Sequence, residues 1–361
     1  LRACMDDAMD IHGGKGICLG PNNYLGRGYQ GVPVAITVEG ANILTRSMMI
    51  YGQGAIRCHP YVLEEMNASA ESGPEALNKF DKALFGHIGF AASNFVRSLF
   101  YGFGGHRLSS VPASDSSKQY YQQMNRFSAN LALLSDVAMG MYGGNLKRKE
   151  RISARLGDML SYLFIGSAVL KRFHDQGRLK EDLPLMHWAM QDTLYKLQEA
   201  QIELLRNMGG VGTAMRAVMF PFGRIAHRPS DKADHKVARI LMEPNDVRTR
   251  LGEGQFLSPE GHFGFLEETL VNMIKCEPLH AKICKAAGER FSFTQLDALA
   301  ERGLELGVIN EEEAELMKRT EEGRLRTINV DDFDPADLLA GQAAFDYALK
   351  NLTDKKQGEA A

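Results

Sequence analysis

The segment 147–175 limits the fold more than any other part of the chain. Ile152, Leu156, Met159, Leu160, Leu163, Phe164 and Leu170 recur there every three or four residues, the spacing that puts side chains on one side of an α-helix. Similar patterns predict helices over 75–102, 117–142, 184–208, 232–241, 264–287, 293–303 and 311–330. The breaks between them fall at Gly104-Gly105, Gly143-Gly144-Asn145, Gly209-Gly210, Pro221 with Gly223, and Pro229. The predicted fold class is all-α. No fixed-period repeat is present, so the pattern does not support a solenoid.

The front of the chain is less regular. Residues 1–12 read as the end of a helix, with Cys4, Ala8 and Ile11 on one side. Leu1 is not an initiator and no capping residue precedes the helical pattern, so we expect a C-terminal piece of a longer protein. Residues 13–31 are rich in Gly, Pro and Asn and are predicted to be loop. Residues 32–38 read as extended chain or buried loop. A helix fits 40–53, with Ile43, Leu44, Met48 and Tyr51 at helical spacing. His59-Pro60 marks a break before a short helix at 61–66. The small polar stretch 67–74 reads as a linker. It suggests a first domain over 1–66, a larger helical domain over 67–353 and a polar, disordered tail over 354–361.

The formal net charge of −3 over 361 residues gives no reason to expect a nucleic-acid partner. Five cysteines without a CxxC pair suggest free, mostly buried thiols in a reducing cytoplasm. The most apolar stretch, 84–103, carries His87, Asn94 and Arg97 and so reads as a buried helix rather than a membrane span.

Two short segments carry candidate chemistry. Glu39 is a lone carboxylate between Val34-Ala35-Ile36-Thr37-Val38 and Gly40. Apolar neighbours raise a carboxylate pKa and a helix start lowers it, so Glu39 reads either as a tuned proton acceptor or as a plain helix-start carboxylate. Upstream lies His12-Gly13-Gly14-Lys15-Gly16. It lacks the glycine spacing and the hydroxyl residue of a P-loop, and no Gly-x-Ser-x-Gly elbow accompanies it. By itself it reads as a turn. The basic run Lys147-Arg148-Lys149, with Arg151 and Arg155, reads as a solvated helix face, with a phosphate or an anionic membrane surface as the alternative. His87, His106, His227 and His235 form no recognisable ligand set. Met139 to Met141 reads as core filling and Asp331 to Pro335 as an exposed loop.

Taken together, Asp10-Ile11-His12-Gly13-Gly14-Lys15-Gly16 and Glu39-Gly40-Ala41-Asn42, followed by Thr45-Arg46, resemble the C-terminal part of the acyl-coenzyme A dehydrogenases. With Gly20-Pro21-Asn22-Asn23-Tyr24-Leu25-Gly26-Arg27-Gly28 the resemblance narrows to the large bacterial type used in fatty-acid degradation, which carries an extra C-terminal helical region. The resemblance implies that Glu39 is the base that takes the α-proton of an acyl-coenzyme A thioester while the β-hydrogen leaves as hydride to flavin, giving a trans-2-enoyl product. It implies that the N–H of Glu39 steadies the thioester oxygen. It further implies that Gly13 and Gly14 approach the diphosphate of FAD and that Gly40 and Asn42 line the flavin side. Asp10 replaces the family glutamine and Ala41 the common threonine, which alters the expected FAD contacts. The family also suggests electron-transfer flavoprotein as acceptor, a homo-oligomer, and a cytoplasmic location, peripheral to the inner membrane in one version. An isolated piece is expected to be inactive. Two other classes stay open: a helical module that docks partner proteins or a membrane face, and an acyl-coenzyme A oxidase.

Overall fold

The computed structural model describes residues 2–34, 43–258, 261–336, 341–343 and 346. The helices in chain order are α1 (Arg2–His12), α2 (Gly26–Gly31), α3 (Ile43–Gln53, of wide π-type pitch), α4 (Gly54–Arg57), α5 (Val62–Ala70), α6 (Pro74–Gly102) and α7 (Lys118–Tyr142). They continue with α8 (Glu150–Asp175), α9 (Leu183–Arg206), α10 (Gly209–Met219), α11 (Asp231–Met242), α12 (Asp246–Leu251), α13 (His262–Ala287), α14 (Leu296–Glu305) and α15 (Glu311–Ile328). Among the described residues no strand occurs, and the all-α expectation holds. Packing gathers the chain into two units, one from Ala35–Glu253 and one from Leu1–Val34 with Gly254–Ala361. The sequence points instead to a division after residue 66. The linker expected at 67–74 shrinks to Glu71–Gly73, because α5 runs on to Ala70. The tail 354–361 lies outside the described residues.

Helix ends follow local chemistry. Pro184 opens α9 and Pro74 opens α6, where a missing N–H leaves no bond unmade. Ser230 caps α11 and Asn245 caps α12 through their side-chain oxygens. Asn310 and Glu313 close a reciprocal capping box at the start of α15. Several elements were not legible in advance. The helix α2 interrupts the glycine-rich loop, α12 is new, and Gly209-Gly210, read as a break, opens α10.

The larger unit is built on α8 and α9, joined by α7 and backed by α3, α6 and α10. Phe127, Leu134, Leu156, Met159, Met190, Leu197 and Leu204 are fully buried in its core. The pattern that predicted α8 needs correcting on one side. Ile152, Leu156, Met159 and Leu170 are buried, but Leu160 is 38% and Phe164 74% exposed. The reason is that different neighbours cover different stretches of the helix. A Cβ at Gly157 would lie 3.3 Å from the Arg46 carbonyl oxygen, and one at Gly166 would lie 2.9 Å from Met124 Cε. Gly157 thus meets α3 and Gly166 meets α7 on another side of the helix, while Phe164 points outward. Buried polar groups are mostly bonded. Gln198 Oε1 accepts from the N–H groups of Ile225 and Ala226, and its Nε2 donates to the Ala226 carbonyl. Arg126 Nη2 donates to the Met219 carbonyl at 2.5 Å, and burial pulls this guanidinium down to about 10.

The smaller unit has its own core of Cys276, Ile283, Leu296, Leu299, Ala300, Ala314 and Met317 from α13, α14 and α15. All five cysteines are free, yet only Cys276 is buried; Cys4 and Cys58 are exposed and the other two partly so. The expectation of mostly buried thiols fails because Cys4 lies on the exposed side of α1 and Cys58 at the exposed end of α4.

Candidate functional site

The glycine turn forms where α1 ends. Gly13 has φ +62, a left-handed conformation that favours glycine. A Cβ at Gly13 or Gly14 would meet nothing within 4 Å, so the space above the turn is open. Lys15 does not face that space. It is 5% exposed, and its Nζ donates to the carbonyls of Thr327 at 2.8 Å and Arg326 at 3.2 Å. A lysine there satisfies carbonyls left over at the end of α15 and meets the negative end of that helix. Nearby, Asp331 accepts the N–H of Asn22 at 2.7 Å, while Tyr24 stacks on His262 and meets His12 edge-on. Burial and the Lys15 charge lower the His12 pKa, which keeps its ring neutral near pH 7. What the turn presents outward is therefore backbone, with the exposed Asp10 one turn away on α1. The expected Glu39, Gly40 and Asn42, and Ala41 between them, lie outside the described residues.

A second constellation was not foreseen. His59, Glu65, His87 and Asp136 converge from the loop before α5, from α5, from α6 and from α7. His59 Nε2 is 3.0 Å from Asp136 Oδ1, and His87 Nε2 is 3.6 Å from the same oxygen. His87 Nδ1 is 2.9 Å from Glu65 Oε1. The side chains of His59 and Asp136 are only 7% and 8% exposed. The His59 contact is close but poorly directed, and neither Asp136 oxygen has a well-aligned hydrogen bond. Burial raises the Asp136 pKa against the pull of both histidines, and burial lowers that of His59. Tyr51 lies close by. It donates to Ser135 Oγ at 3.1 Å, and burial with the Asp136 charge pushes its hydroxyl up to about 12.

Three such donors within 4.8 Å of one another have the spacing of a metal site. The protonation of His59 decides against that use. Its Nδ1 accepts the N–H groups of Tyr61 and Val62, both at 3.2 Å. A neutral imidazole that accepts at Nδ1 carries its proton on Nε2, so no lone pair faces Asp136. The cluster is a network of close ionisable groups whose outer end caps the first turn of α5. His87 was visible in the sequence only as one of several scattered histidines. The available signal was Asp136, an acid set into the apolar run Leu131-Ala132-Leu133-Leu134-Ser135-Asp136-Val137-Ala138.

These features define an all-α domain of packed helices with an internal ionisable network and an open glycine turn. Residues 56–333 match the family model for the C-terminal domain of bacterial-type acyl-CoA dehydrogenases, and the chain belongs to that family. The matched span contains His59, Glu65, His87 and Asp136, while Gly13, Gly14, Glu39, Gly40 and Asn42 precede it. No solved structure matches the chain.

Proposed function

We propose that this chain serves an FAD-dependent acyl-coenzyme A dehydrogenase that converts medium- or long-chain acyl thioesters to trans-2-enoyl thioesters in fatty-acid β-oxidation. Family membership over residues 56–333 carries this reading. Glu39 takes the α-proton, and its own N–H steadies the thioester oxygen as charge develops there. When bound, FAD supplies the acceptor for the β-hydride. Gly13 and Gly14 are compatible with one end of that cofactor, since they leave room for a diphosphate and offer backbone N–H groups without a Cβ. With Lys15 turned onto α15, that approach relies on backbone alone, and Asp10 must point away from the phosphates. Gly40 and Asn42 line the flavin side. The reading places the enzyme in the cytoplasm with electron-transfer flavoprotein as its partner. Among the described residues no helix is long and apolar enough to cross a membrane.

The test is flavin bleaching in the protein that carries this domain, on adding a long-chain acyl-coenzyme A, wild type against Glu39→Gln. Wild type should bleach, and the variant should keep its flavin and lose bleaching by roughly 10²-fold or more. Equal bleaching would place the base elsewhere. Stoichiometric peroxide without an added acceptor would favour an oxidase instead.

One observation favours a second reading, a docking module. Phe85, Ile88, Val96, Phe100 and Phe103 stand 50–71% exposed along α6 and its end, a continuous apolar stripe of the kind that marks contact surfaces. Sedimentation with anionic vesicles that high salt abolishes would support a membrane role. No sedimentation at low salt removes the membrane from consideration.

A further inference from the structure

The helix α11 has a polar edge of Asp234, His235, Lys236 and Arg239 and an apolar edge of Ala233, Val237, Ile240 and Leu241. A helix so divided ordinarily buries its apolar edge. Yet no residue of α11 is buried. Beneath it lies a cavity of about 320 Å³ between α8, α9, α11 and α12. Its walls include Phe173, Met186, Trp188, Val237, Val247 and Leu251.

Two sets of bonds fix the ends of the helix. Trp188 Nε1 donates to Asp234 Oδ1 at 2.5 Å. Past the other end, Asn245 Nδ2 donates to the Ile240 carbonyl at 2.7 Å and to that of Glu243 at 3.0 Å. The first bond fastens the start of α11 to α9 and the second closes the turn into α12, which leaves Val237 and Leu241 as walls of the space. The void is bounded by apolar walls that a chain of carbon atoms would fill.

Polar groups line one edge only: Arg172, Gln176, Asp182 and Arg250. Arg250 is neutralised within the protein. It pairs with Asp182 at 2.7 Å, and Glu181 and Asp246 act on the same guanidinium. Arg172 is different. Its Nη2 donates to the Arg250 carbonyl at 2.8 Å and its Nε to Gln176 Oε1 at 3.4 Å. Both acceptors are neutral, and Arg172 is exposed. One cation thus waits beside an apolar cavity, with three acids close by that would repel a polyanion. That repulsion grows with the ligand's charge, so a single carboxylate held by Arg172 is disfavoured far less than a coenzyme or phospholipid head.

We propose that this cavity binds one unbranched fatty carboxylate, its alkyl chain under α11 and its carboxylate on Arg172. The volume sits at the small end of ligand pockets, which fits one chain and not two. The site uses none of the residues assigned to dehydrogenation and does not depend on that reading.

Trp188 lines the cavity and is the sole tryptophan of the chain, so its emission reports on the site directly. The experiment titrates the chain with dodecanoate, dodecanol and dodecanoyl-coenzyme A below their micellar concentrations, following Trp188 emission. Dodecanoate should give a saturable blue shift and bind more tightly than dodecanol or the thioester. In Arg172→Gln, dodecanoate should weaken by about fivefold, the size of an exposed ion pair, with dodecanol unchanged. Val237→Phe should weaken both ligands by filling the space. No saturable change in emission overturns the proposal, as does tighter binding of the thioester. Equal affinity for dodecanoate and dodecanol overturns it as well, and that comparison needs only the wild-type chain.

Discussion

Three histidines in the larger unit share one electrostatic setting. Burial lowers the pKa of His59, His106 and His187 from the ordinary value of 6.5. The unfolded chain therefore takes protons at a pH where the folded chain does not. Stability from these groups is fully present above pH 6.5 and is lost as pH falls through their lower folded values. Each proton so gained costs up to about 1.4 kcal/mol per pH unit. Asp136 and Asp158, with pKa raised from 3.8 by burial, act in the opposite direction. Their stabilising contribution is present below 3.8 and is lost as pH rises through the folded values. Urea midpoints should thus fall between pH 7.5 and 5.5. A His106→Gln variant should show a shallower decline, and a slope equal to wild type would remove His106 from the account. Lys15 is the other residue with a defined load. Replacing it by Met keeps the stem and deletes two bonds to carbonyls at the end of α15, with an expected loss of about 1–3 kcal/mol. Hydrogen exchange of 311–328 should speed up in that variant.

Among the elements, α10 shows what the sequence hides. Its two opening glycines read as a stop, but Gly209 turns the chain in a left-handed conformation, φ +61, and the helix starts at once; the close packing falls further along. A Cβ at Gly212 would lie 1.9 Å from the Leu205 carbonyl oxygen, and one at Gly102 on α6 would lie 2.2 Å from that of Val218 on α10. Backbone cannot yield as a flexible side chain can. Gly102→Ala should therefore destabilise by about 1–3 kcal/mol or more, whereas Gly89→Ala, with open space at its Cβ, should be neutral or slightly stabilising. Thermal unfolding of the pair separates close packing from helix propensity. The long helices were legible because each carries an apolar stripe over many turns. Their faces were less so, since Phe164 and Gly166 look like core and gap in the sequence and exchange those roles in the bundle. The candidate site divides in the same way. The glycine turn could be read from contiguous residues, while Glu39, read in the same way, lies outside the described residues. His59, His87 and Asp136 are far apart in the chain and meet only because α5, α6 and α7 pack together.

For the whole molecule, each unit has its own apolar core, so residues 35–253 produced alone should keep their helices. Circular dichroism with a cooperative urea transition would bear this out, and a non-cooperative, exposed state would show that the larger unit is not self-sufficient. The smaller unit is another matter, because Lys15 is bonded to Arg326 and Thr327 from the far end of the chain. During synthesis the first 34 residues leave the ribosome long before α15 exists. At about 5–20 residues per second, they wait on the order of ten seconds or more with Lys15 unseated, while the larger unit is completed between them and their partners. The order of assembly is thereby imposed by the direction of translation. The large bundle can close early, and the unit that joins Lys15 to α15 can close only after α15 has emerged.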